Sequence, residues 1–231
     1  MPKTPSPFTP ATYRFLTELK RNNSREWFNA NKEWYERDVR EPMLKFIASM
    51  QKPLSRISKH VIADPSPMGG SMFRIYRDTR FASDKTPYKT HVAAQFRHVT
   101  GRDAHAPGFY LHISPDENYV GGGIWHPDNA GLGLIRARIA ARPKEWERVV
   151  KNRKLREICG DISGDSLVRP PTGYAEDERF IEYIKLKDYF AGINLPRMIV
   201  IRPGFQEEAV EVFSSVSPLM GFLCSSLGLP W

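Results

Sequence analysis

The chain reads as an α+β protein: a mixed, mainly antiparallel sheet of about five strands with helices packed mostly on one face. Three observations carry that reading. Stretches at 72–77, 90–98, 108–114 and 118–125 alternate apolar and polar residues with the two-residue period of a half-buried strand. The stretches before and after them repeat apolar residues at helical spacing. The connection Pro115-Asp116-Glu117 is short enough only for an antiparallel hairpin.

Taken in order, residues 1–8 are Pro-rich and predict a loose arm. A first helix is expected over 10–21, with Tyr13, Leu16 and Leu19 on one face. Asn23, followed three residues later by Glu26, has the pattern of a capping box for a second helix carrying Trp27, Phe28, Trp34 and Tyr35. Pro42 kinks that helix or opens a new one, whose Leu44, Ile47, Met50 and Leu54 continue the apolar stripe. The stripe reads as core packing against a sheet.

A Pro/Gly/Ser loop ends at Gly69-Gly70, and the strand at 72–77 follows, with Phe73 and Ile75 set against Arg74 and Tyr76. On the strand at 108–114, Phe109, Leu111 and Ile113 face one way and Tyr110 and His112 the other. One face is therefore apolar and covered by helices, while the other gathers Arg74, Tyr76, Tyr110 and His112. Beyond Pro127 come helices at 128–141 and after Pro143, and a Gly/Pro/Asp loop over 160–177. A short helix near 177–183, a fifth strand at 187–193 and a long last helix from about 206 complete the chain. No linker divides it, so one α+β domain over 1–231 is expected.

Between the strands at 72–77 and 90–98 lies a loop dense in charge, with Arg77, Asp78, Arg80, Asp84, Lys85 and Lys89. Pro87 holds Thr86 extended, which keeps a helix out. The runs Arg77-Asp78-Thr79-Arg80-Phe81, Asp84-Lys85-Thr86-Pro87-Tyr88-Lys89-Thr90 and Gly121-Gly122-Gly123-Ile124-Trp125-His126-Pro127 resemble the bacterial and fungal family catalogued as domain of unknown function 2461. The likeness extends to Asn22-Asn23-Ser24-Arg25-Glu26-Trp27-Phe28 and Pro107-Gly108-Phe109-Tyr110-Leu111-His112, and so covers nearly the whole chain. It implies a shared fold and motif loop, and no activity, because that family has no assigned reaction. Ala82 departs from the small polar residue the resemblance leads one to expect there.

Two readings of the loop stand side by side. Arg74, Arg77, Arg80, Lys85 and Lys89 outnumber Asp78 and Asp84, and a phosphate or carboxylate ligand would complement the excess bidentately. Alternatively, Arg77, Asp78, Arg80 and Asp84 form an internal ion-pair network that fixes the loop, with the lysines solvated. In the first reading Arg74, Arg77, Arg80, Lys85, Tyr88 and Lys89 bind the ligand, Gly122 gives it a floor and Trp125 a wall. His112, Tyr110 and Asp84 are then the candidates for proton transfer.

Five of the 6 histidines fall between 91 and 126, yet no His-x-x-x-His or His-Glu-x-x-His pair occurs, so no metal site is expected. His98 and His105 flank a turn and read as solvated. No nucleotide-type glycine loop or nucleophile elbow is present, and no cofactor is implied.

The formal charge of +8 raises nucleic acid as a rival partner, centred on the Lys and Arg residues of 134–156. The 2 cysteines and the absence of a secretory apolar region fit a reducing cytoplasm, and no membrane association is expected. Oligomeric state is not legible from the sequence.

Overall fold

The computed structural model describes residues 3–101 and 106–231. Its sheet has four strands, β1 (Val92–Arg97), β2 (Gly108–Ile113), β3 (Asn118–Ile124) and β4 (Tyr189–Asn194), all antiparallel and in the order β1-β2-β3-β4. The helices in chain order are α1 (Pro10–Arg21), α2 (Arg25–Ala30), α3 (Lys32–Tyr35), α4 (Glu41–Ile57), α5 (Asn129–Ala141), α6 (Pro143–Val150), α7 (Arg153–Cys159), α8 (Ile181–Ile184), α9 (Arg197–Ile201) and α10 (Phe205–Ser226). A π-helical turn, Glu36–Arg40, joins α3 to α4 without a break in the helical backbone, and Pro42, which has no N–H to donate, falls just past this shift in register.

Alternation sets the apolar face. Phe96, Phe109, Leu111, Ile113 and Val120 are wholly buried. Phe213 of α10 stacks on Phe109 at 4.8 Å, and Phe46 of α4 meets Phe96 at 6.4 Å. By length and composition α10 could cross a membrane, but Ala209, Phe213, Val216, Leu219 and Leu223 are buried against the rest of the chain. Trp146 of α6 adds a second aromatic centre against Phe222 and Tyr183.

The strand expected at 72–77 is not one. Met72 forms an isolated bridge to Ala94, and the Phe73 N–H donates to the Ala93 carbonyl. From Ile75 onward the segment changes partner: Lys89 N–H donates to Ile75 O, and Arg77 N–H to Pro87 O. The pleat breaks where the partner changes, so Phe73 and Ile75 no longer share a face. Ile75 is buried in the core, whereas the Phe73 ring stands edge-on to Tyr110 at 6.2 Å.

The outer side of β1 and the start of β4 are occupied. Residues 60–62 and 71–73 bond along the outer side of β1, and Ser163 exchanges two hydrogen bonds with Phe190 on β4.

Three further expectations are corrected. Residues 4–8 are fastened: Gly204 N–H donates to Thr4 O, the Ser6 hydroxyl to Val200 O, and Phe8 is buried between Phe46 and Phe205. The cap of α2 is Ser24, whose hydroxyl accepts from the Trp27 N–H, which leaves Asn23 for another partner. His98 is buried, with Nδ1 2.7 Å from the Thr100 hydroxyl and Nε2 2.7 Å from Pro230 O. His105 lies outside the described residues.

Candidate functional site

The face of the sheet opposite Phe96 and Phe109 is built in two rows. Gln95, Tyr110, Gly121 and Gly192 form one, and Ala93, His112, Tyr119 and Asn194 the other. His91, two residues before Ala93, joins the same face, and its ring lies 4.3 Å from that of His112. The Tyr110 hydroxyl is 3.3 Å from Nδ1 of His112. Lys89 extends over the Phe73 ring at 5.3 Å, placing its ammonium beside the cluster.

Burial governs the ionisation of this face. Burial first, then His112 and Lys89, press the His91 imidazole down to about 4. Burial lowers His112 as well, against an opposing pull from Glu117. Tyr110 is pushed up to about 12 by burial and by Glu117. Lys89 is lowered by burial and then by Arg74. Near neutral pH the two imidazoles are therefore neutral and the phenol keeps its proton.

The motif loop is largely paired within itself. Arg77 bonds Asp84 and Thr86, while Asp84 also receives the Thr86 N–H at 2.9 Å. Arg80 forks onto Asp78 at 2.7 and 3.0 Å. The Thr86 N–H, Arg77 and the Thr86 hydroxyl hold Asp84 at about 2, and Arg80 holds Asp78 there too. A carboxylate so depressed stays ionised at neutral pH, and its bonds to Arg77 and Thr86 brace the loop. Lys85 donates to Thr79 O at 2.9 Å, closing the loop tip. Arg74 and Lys89 form no ion pair among the described residues, although Arg74 adds slightly to the field that lowers Asp78.

Tyr88, Gly122 and Trp125 lie apart from the polar face. Tyr88 is 3% exposed and stacks on Phe28 at 4.1 Å. Gly122 lies on the core side of β3, where a Cβ would come 2.7 Å from Phe109. Gly121, on the polar side, leaves no floor for a ligand, because its space is filled: a Cβ there would lie 2.5 Å from the Tyr119 hydroxyl. That hydroxyl is itself buried without a hydrogen-bond partner among the described residues. Trp125 lies past the far end of β3, 60% exposed, with its ring 4.4 Å from His126.

Sequence reasoning passed over His91 and Tyr119. The alternation of Val92, Ala94 and Phe96 already places His91 on the polar face, but its nearness to His112 required the β1–β2 register. Two clefts, of about 580 Å³ at Arg37, Arg40 and Leu44 and about 410 Å³ at Ile124, His126 and Leu229, lie away from this face.

In the basic region, Arg138 pairs with Glu145, Lys151 with Glu147, Arg153 with Glu157, and Lys154 with Glu211. These pairs engage four of the 9 Lys and Arg residues in that stretch.

A family model described as "Conserved hypothetical protein (DUF2461)" matches residues 11–222. No curated protein and no solved structure matches the chain.

Proposed function

The chain belongs to the DUF2461 family of conserved hypothetical proteins, and on that premise we propose that the polar face of its sheet binds a small phosphorylated or carboxylated anion through Lys89 and Arg74. The observation that carries the proposal is Lys89. It is partly buried beside two imidazoles and an arginine, with burial and Arg74 both opposing its charge, and no carboxylate pairs with it among the described residues. An anion is the complement such a group lacks. With α4 and α10 taken to cover only the face of Phe96 and Phe109, the other side is left to the ligand. Tyr110 donates to the anion, and neutral His112 beside it is the group able to accept a proton from a bound molecule.

Arg77 and Arg80 are ligand residues in this scheme only by bracing the loop, since each is already paired. The test is a thermal-shift screen of phosphate monoesters and dicarboxylates at constant ionic strength. Anions that bind only the folded form raise the melting temperature by several degrees at saturating concentration. That shift disappears in the Lys89→Met, Arg74→Met double variant and persists in Arg77→Ala, Arg80→Ala. If no anion shifts the wild-type protein, the proposal fails.

A further inference from the structure

We infer that the anion taken at this face is a divalent oxyanion and that it enters together with a proton accepted by the adjacent His91–His112 pair, an inference that rests on the anion-binding reading above.

Charged and polar groups from several segments surround the pair. From the irregular segment come Lys89 and Arg74, two fixed positive charges. From β2 comes Tyr110, whose hydroxyl is 3.3 Å from Nδ1 of His112. From β3 comes Tyr119, directly across from His112. From the β2–β3 turn comes Glu117, an exposed carboxylate that acts on His112 through its field. Asp78, near Arg74, is already forked by Arg80. The local balance is thus two cations against one solvated carboxylate. With the proton accepted by the imidazoles added to that balance, the face carries two net positive charges, so a monovalent ligand leaves one uncompensated and a divalent one does not.

The same charges explain the proton. Burial opposes a charge on both imidazoles, and on His91 the contact with His112 at 4.3 Å and Lys89 oppose it further, while Glu117 alone favours it on His112. A divalent anion seated between Lys89 and the pair reverses the sign of that field. The imidazolium becomes favoured, and the protonated ring gains a charge-assisted hydrogen bond to the anion. Binding and protonation then strengthen each other by linkage.

Sulfate and methanesulfonate are suitable probes, because both are tetrahedral sulfur oxyanions, one divalent and one monovalent, and neither titrates between pH 6 and 8. Calorimetry on the whole chain should find sulfate bound about tenfold tighter than methanesulfonate, and about fivefold tighter at pH 6 than at pH 8. Heats in two buffers of different ionisation enthalpy should differ, reporting net proton uptake. His91→Gln and His112→Gln flatten the pH dependence while sulfate still binds. Should either variant misfold, the imidazole NMR resonances of the wild-type protein give the same information, titrating at higher pH when sulfate is present. Equal affinity at both pH values, with imidazole titrations unmoved by sulfate, overturns the proton coupling and leaves the anion site standing. Equal affinity for the two probes overturns the preference for divalent charge. No binding of any anion at either pH overturns the anion site itself.

Discussion

The side-chain amide of Asn23 is bonded to the backbone of Tyr88 in both directions: Nδ2 donates to Tyr88 O at 2.9 Å, and Oδ1 accepts the Tyr88 N–H at 3.1 Å. One side chain thus does the work of a neighbouring strand for the residue that leads into Lys89. It also joins two family motifs that lie 65 residues apart. Asn23→Ala leaves both backbone groups without these partners and should lower stability by about 1–2 kcal/mol, measured by urea unfolding. Asn23→Asp loses the donor and sets a carboxylate against a carbonyl, so it should cost more. A null effect for both would mean that water replaces the amide without loss.

Glycines 121 and 133 should respond to alanine in opposite ways. A Cβ on Gly121 falls 2.4 Å from Ala191 O and 2.8 Å from the Gly192 Cα, which are backbone atoms with no freedom to retreat. Gly121→Ala should therefore cost about 2–4 kcal/mol, and Tyr119→Phe should not rescue it. Gly133 is exposed on α5 and a Cβ there meets nothing within 4 Å. Gly133→Ala should raise stability by about 0.5–1 kcal/mol. Chemical denaturation of the two variants in parallel decides both.

His91 makes stability depend on pH in a defined window. Its folded value, about 4, lies below the ordinary imidazole value. As pH falls, the unfolded chain takes up the proton first. The stability due to the neutral ring is complete above about pH 6.5 and is lost between there and about pH 4. His91→Gln should flatten that decline by on the order of 1–2 kcal/mol, after allowance for solvent access. Unfolding free energies at pH 7.5 and pH 4.5 give the comparison, and an unchanged slope would count against a buried neutral imidazole.

The two cysteines should react slowly and in sequence. Burial pushes the Cys224 thiol up to about 12, and burial raises Cys159 as well, partly offset by its contact with Ser215. Thiolates are the reactive form, so both resist maleimide near neutral pH. Cys159, only partly buried, should be modified first, and Cys224 only once denaturant opens the core. Mass spectrometry of a time course would show the order.

The β2–β3 hairpin was legible because its two faces differ sharply in character, and Phe109, Leu111 and Ile113 declare the buried one. The segment at 72–77 was misleading for a physical reason. Phe73 and Ile75 alternate like strand residues, but alternation in sequence assumes one continuous partner, and this segment has two in succession. The motif loop was recognisable as a charged unit, yet composition alone could not say which cations were spoken for. That depended on Asp78 and Asp84 reaching Arg80 and Arg77 and leaving Lys89 aside. His98, bonded to a carbonyl 132 residues away, had no local signal at all.

The occupied margins of the sheet restrict how the protein can associate. Residues 60–62 and 71–73 use the outward groups of β1, and Ser163 does the same at Phe190 of β4. A second chain therefore finds no vacant ladder along β1 or at Phe190 on which to add a strand, and recruitment by backbone pairing is disfavoured at these positions. At these positions a partner would have to be met by side chains. Variation among relatives that altered what docks there could leave the hydrogen-bonded frame untouched.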